Sequence, residues 1–280
     1  MDRARRPLSP GALGRWLDRL RGRPRQPRQA VPDTLWQQTL QDYPFLTQLS
    51  EPEQRRLREL SALFLEDKEF HGAQGLRITD AMAVAIAAQA CLPVLHQGRG
   101  DAPLRWYDDF VGIVVHPDEV VAHRSWVDEA GVVHEWEEPL AGEAMPDGPV
   151  MLSWRDVRAA DSASGYNVVI HEFVHKLDMR DGAADGCPPL PAGFLGHARA
   201  QSARAHWLDT LGRVYADFRE AVIRAERFGE PAPWLDAYGA QSPDEFYAVA
   251  SEAYFVNRAR FAAEFPDLLP LFDAWYRPGL

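Results

Sequence analysis

Residues 168–178 read VVIHEFVHKLD. In H-E-x-x-H on a helix, His171 and His175 stand about one turn apart and project from one face, so their imidazoles can share one tetrahedral metal. Glu172 is rotated by roughly 100° from His171. That brings its carboxylate beside a metal-activated water and makes it a natural general base. Zinc suits this donor set and lowers the pKa of such a water toward about 7, within reach of a carboxylate. Without a metal, two histidines and a glutamate on an otherwise apolar helix would leave several polar groups in need of partners. Asp178, three residues beyond His175, is spaced to act as an acceptor that orients an imidazole.

Two histidines leave zinc short of a third protein ligand. The compact pattern H-E-x-x-H-x-x-G-x-x-H would need glycine at 178 and a ligand at 181. This chain has Asp178 and Asp181 there, so the bend that would bring Asp181 to the metal is unsupported. The later stretch DAYGAQSPDEFYAVASEAYF offers Glu245 and Glu252. Seven residues apart on one helix, they face nearly the same way. Ser242 to Glu245 also spells a capping box with proline at the first helical position, a structural use for Glu245. Glu252 has its own structural reading, a mid-helix carboxylate bonded to a neighbour. Spacing leaves the choice between them open.

The elements that must position these residues follow an order of helices, short strands and helices, which is an α+β arrangement. SEPEQRRLRELSALFLEDKEF opens with a Ser50/Glu53 capping box and continues with leucines at helical spacing. TDAMAVAIAAQACLPVL is apolar on nearly all sides and reads as a central helix. FVGIVVHP, EVVAHRSWVD, GVVHEW and PVMLSW have strand character and suggest a small, largely antiparallel or mixed sheet. The active-site segment, a long helix over 197–229, the Glu245/Glu252 helix and a final helix near Phe265 to Tyr276 complete the chain. Residues 34–280 therefore read as one domain. Residues 1–33 read as a basic, Arg/Pro-rich, flexible segment carrying a candidate short helix from Leu13 to Leu20.

Composition sets outer bounds. With 46% hydrophobic and 25% charged residues among 280, the chain is an ordinary globular protein. Nine arginines against Asp2 and Asp18 in the first thirty residues make the head basic, so the body is more acidic than the net charge of −11 suggests. Such a body is a poor direct binder of nucleic acid. Cys91 and Cys187 form no C-x-x-C pair and read as free thiols. No apolar leader follows the first residues, and the longest apolar run, residues 81–95, contains Gln89 and Pro93 and falls short of a membrane span. A cytoplasmic protein is the expectation.

NVVIHEFVHKLDMRDG, DAYGAQSPDEFYAVASEAYF, ACLPVL and GPVMLSW together resemble the Mlc titration factor A type of bacterial zinc peptidase, over roughly residues 35–276. The resemblance implies a cytoplasmic, zincin-like metallopeptidase (H-E-x-x-H, gluzincin-like) with a catalytic fold similar to the anthrax lethal factor protease domain. It implies one zinc held by His171, His175 and Glu245, with Glu172 as general base. It also implies that Tyr238, in the matching D-A-Y, lies near the zinc, where a phenol can donate to the oxyanion. The family's associated activity is aminopeptidase-like cleavage of short peptides, and its enterobacterial member also binds a transcription repressor. The Arg/Pro-rich head and the loops HGAQGLRITD and GCPPLPAGF depart from the family pattern. A peptide substrate would pair with an edge strand beside the active helix, for which FVGIVVHP and PVMLSW are the candidates.

Overall fold

The computed structural model describes residues 26–127, 133–182 and 184–279. The Leu13–Leu20 segment and most of the basic head lie outside the described residues. Packing begins at Val31, which is buried and whose carbonyl accepts from the Arg58 guanidinium. Helices α1 (Asp33–Asp42), α2 (Glu51–Asp67) and α3 (Asp80–Cys91) follow. The expected capping box starts α2: the Ser50 N–H donates to the Glu53 carboxylate at 2.8 Å. Thr79 caps α3, whose hydroxyl accepts from the Met82 N–H. Being apolar on all sides, α3 is buried over nearly its whole length.

Two sheets form where the sequence pattern suggested one. Strands β1 (Glu69–Gly72), β2 (Gly112–His116), β5 (Gly142–Ala144) and β6 (Val150–Ser153) make a mixed sheet in the order β1-β2-β6-β5. The first three strands in that order run parallel, and β5 is antiparallel to β6. Strands β3 (Val120–Val127) and β4 (Val133–Leu140) pair with each other as a separate antiparallel ribbon among the described residues. Glu69 and Phe70, expected at the end of α2, instead begin β1, because the backbone becomes extended at Lys68 and pairing with β2 takes over. Both strands named as candidates for substrate pairing, β2 and β6, lie inside the sheet. The edge strand against the histidine helix is β5.

Helices α4 (Trp154–Arg158), α5 (Val168–Asp178), α6 (Ala200–Phe228), α7 (Pro243–Val256), α8 (Arg258–Glu264) and α9 (Leu269–Tyr276) form the second half. The final helix starts at Leu269, later than expected, and α8 precedes it. Every residue of α5 is buried, between α3, α7 and the β5–β6 edge. Phe173 anchors its apolar face against the rings of Phe64, Tyr107 and Phe110, with centroids 5.1–5.9 Å away. The result is an α+β fold with one small mixed sheet. Among the described residues, no helix is long and apolar enough to cross a membrane.

Candidate metal centre

Asn167 fixes the start of α5. Its side-chain oxygen accepts from the Ile170 N–H at 2.9 Å, while its amide donates to Gln89 of α3 at 2.7 Å. One turn on, the Nε2 atoms of His171 and His175 come within 3.2 Å of each other. Glu245 completes a triangle, its Oε2 lying 3.0 Å from His171 Nε2 and 3.2 Å from His175 Nε2. Zinc bonds of about 2.0–2.1 Å in tetrahedral geometry set neighbouring ligand atoms about 3.3 Å apart. The three side chains therefore fit one such ion with a fourth position left over, and they form the group of three or more metal-capable side chains found among the described residues.

The two glutamates of α7 have different places. Ser242 precedes α7 without a side-chain capping bond, so the capping box spelled by the sequence does not form and the Glu245 carboxylate turns to the imidazoles. Glu252 lies two turns deeper, 2% exposed, with Oε1 2.7 Å from His171 Nδ1. Its other oxygen accepts from the Asn167 N–H. It therefore holds the far side of the His171 ring and leaves Nε2 facing the triangle.

Asp178 is not hydrogen-bonded to an imidazole. Its Oδ2 accepts from the Gly186 N–H at 2.8 Å, and its Oδ1 has no hydrogen-bond partner among the described residues. The acceptor on His171 is Glu252 instead. Asp181 sits in the 3₁₀ turn that ends α5 and pairs with Arg204 at 3.4 Å, away from the histidines.

Glu172 is 4% exposed beneath β5. A Cβ at Gly142 would fall 2.5 Å from Glu172 Oε1, so only glycine allows the strand to lie this close. Burial pushes the Glu172 carboxyl up to about 7, with His171 and His175 pulling it down and Glu245 and Glu252 pushing it further up. At His171, burial works against the charged ring, but hydrogen bonds to Glu245 and Glu252 outweigh it and hold the imidazole well above its usual range. Burial likewise works against the Glu245 carboxylate, and its bonds to both histidines hold it far below the usual carboxylate range. Tyr238 stands in a 3₁₀ turn capped by Asp236, whose Oδ1 accepts from the Tyr238 N–H at 2.9 Å. Its hydroxyl donates to Glu245 Oε1 at 3.4 Å.

A cleft runs along β5. On one side of Gly142 a cavity of about 250 Å³ is lined by His171, Glu172 and Tyr238. On the other, about 180 Å³ is lined by His175, Glu245 and Ala144. Sequence reasoning missed Asn167 and Gly142. Asn167 carries a readable signal, a capping residue just before an apolar helical run, whereas nothing local marks Gly142.

Residues 16–277 match the family described as glucose-regulated metallo-peptidase M90. Mlc titration factor A of Klebsiella pneumoniae (strain 342) is 35% identical over 243 residues, 86% of this chain and 85% of that protein. The protein of the same name from Edwardsiella ictaluri (strain 93-146) is 36% identical over 235 residues, 84% of each chain. One from Escherichia coli O1:K1 is 35% identical over 243 residues. With a match that spans nearly its whole length, the chain belongs to the glucose-regulated metallo-peptidase M90 family.

Proposed function

We propose that this chain is a zinc-dependent peptidase in which His171, His175 and Glu245 hold one metal ion and Glu172 is the general base. The observation that carries the reading is the triangle of donor atoms, 3.0–3.2 Å on a side, with a buried carboxylate beside it. Zinc, when bound, supplies Lewis acidity to a carbonyl and lowers the pKa of a water toward about 7. Glu172 takes the proton of the attacking water on its carboxylate and delivers it to the departing amine. The Tyr238 hydroxyl, next to Glu245, donates to the carbonyl oxygen as negative charge builds there. Strand β5 pairs with β6 through one edge and offers the other to an extended peptide.

Short peptides cleaved in an aminopeptidase-like manner, in the cytoplasm, complete the reading. So does a single zincin-like domain over residues 34–280, similar to the anthrax lethal factor protease domain. A second reading draws on the relatives' name: proteins called Mlc titration factor A titrate another protein, and this chain would then bind a transcription repressor with zinc mainly structural.

Glu172→Gln separates the two. Under the peptidase reading it lowers kcat by at least about a hundredfold while zinc content stays at one per chain, whereas His171→Ala loses the metal. Undiminished hydrolysis by Glu172→Gln would remove the proposed base. Lost hydrolysis with every cellular effect retained would favour the repressor-binding reading.

A further inference from the structure

The cleft continues past His171. Asp156, Tyr166, Asp236, Val249 and Glu252 wall both the cavity beside Glu172 and an adjoining one of about 520 Å³. Carboxylates of Glu119, Asp156, Glu172, Asp236 and Glu252 line the first, Asp161 joins Asp156, Asp236 and Glu252 in the second, and among the described residues neither has a lysine or arginine in its lining.

These carboxylates differ in what already satisfies them. Both oxygens of Glu252 are engaged, by His171 and the Asn167 N–H. Asp161 accepts from the N–H groups of Ala163 and Ser164, and Asp236 gives one oxygen to the Tyr238 N–H. Asp156 is the exception. It is 9% exposed, and its Oδ2 is buried without a hydrogen bond. The cation beside it is the Arg155 Nε, at 3.6 Å, and that guanidinium already serves Asp118 and Glu119 at the surface. A buried carboxylate short of donors is costly, and a charged N–H group in the cavity that Asp156 lines would meet that carboxylate with a strong bond.

Tyr166 records the same convergence. Its phenol is driven well above its usual range by burial and then by the charges of Glu252, Asp156, Asp236 and Glu172. Tyr166 and Trp234 add apolar wall against which an alkyl stem can lie.

We propose that this end of the cleft, anchored on Asp156 and Asp236, is a subsite for a positively charged group of the substrate, an ammonium or a guanidinium. The proposal rests on the peptidase reading of the adjoining centre and names the substrate class that centre receives. Either a basic side chain or a free α-amine has this chemistry.

Calorimetric binding of four small amides to the zinc-loaded protein tests it: argininamide, N-acetylargininamide, norleucinamide and N-acetylnorleucinamide. The cation-free N-acetylnorleucinamide is expected to bind at least about tenfold more weakly than the best of the others. Binding that follows the guanidinium assigns the subsite to a side chain, and binding that follows the α-amine assigns it to a chain terminus. Both results support the proposal. Asp156→Asn is expected to erase the advantage of the cation, and Asp236→Asn to reduce it, with zinc content unchanged in each. Equal binding of all four amides, or an advantage that survives both substitutions, overturns the proposal. The readout is binding, taken on the zinc-loaded Glu172→Gln variant alongside the original protein so that turnover of an amide bond does not enter it. A protein that selects cations yet hydrolyses no peptide would therefore count against the peptidase reading alone, and one that hydrolyses peptides without selecting cations would count against the subsite alone.

Discussion

His171 is held from both sides: Glu245 and His175 meet its Nε2, and Glu252 meets its Nδ1 at 2.7 Å. A carboxylate behind a metal-binding imidazole raises its basicity and fixes its tautomer, and losing one typically costs about 10–100-fold in metal affinity. Glu252→Gln is expected to weaken zinc binding by that factor, measured by competition with a chelator, because the amide keeps the shape and loses the charge. The histidine pair and Glu172 were legible because a four-residue spacing on a helix is itself a geometry. The choice between Glu245 and Glu252 was not, since a seven-residue spacing puts both on one face. What separates them is which ring nitrogen of His171 each meets, and that depends on how α7 crosses α5. The role expected of Asp178 failed for a similar reason: its carboxylate is captured by a backbone N–H eight residues further on.

At the scale of elements, β5 does more than its three residues suggest. Gly-Glu-Ala has no strand propensity worth reading, and this strand exists because β6 supplies its partner. Gly142→Ala would push the strand and the Glu172 side chain apart, and misplacing a catalytic group by a fraction of an ångström to one ångström costs up to about a hundredfold in rate, which under the proposed reading is the cost of moving the base. The expected result is a fall in kcat with zinc retained, read from turnover and metal content of the same sample. Lys176 secures the other end of the β5–β6 hairpin. It is fully buried, with its ammonium 2.6 Å from the Met145 carbonyl, 3.0 Å from that of Gly148 and 3.2 Å from Asp109. Lys176→Met would strand those acceptors, and breaking a buried pair by removing one partner costs about 3–5 kcal/mol. Chemical denaturation should show a loss of that order. The capped helices α2 and α3 were legible from local signals. The parallel pairing of β1, β2 and β6 was not, because it joins segments about 40 residues apart that carry no mark of their partners.

For the whole molecule, pH is a probe of the buried acid that the metal centre leaves aside. Burial pushes Asp178 up to about 7, against an ordinary value of 3.8. The folded protein therefore binds this proton more tightly than the unfolded chain does. The associated stability is fully present below about pH 4 and is lost as the pH rises through about 7. Asp178→Asn can still accept from Gly186 and has no charge to bury. In the presence of a chelator it should gain on the original protein by roughly a few kcal/mol between pH 4 and pH 8, read from denaturation curves at the two pH values. The helix, sheet, helix order was readable along the chain, while the division into two sheets depended on contacts at long range. The centre itself is assembled at long range: the histidines leave the ribosome some 70 residues before Glu245 and 81 before Glu252. A nascent chain, or a fragment cut ahead of α7, carries both imidazoles and the proposed base yet lacks the third donor, so under the proposed reading the centre cannot assemble before α7 has been made.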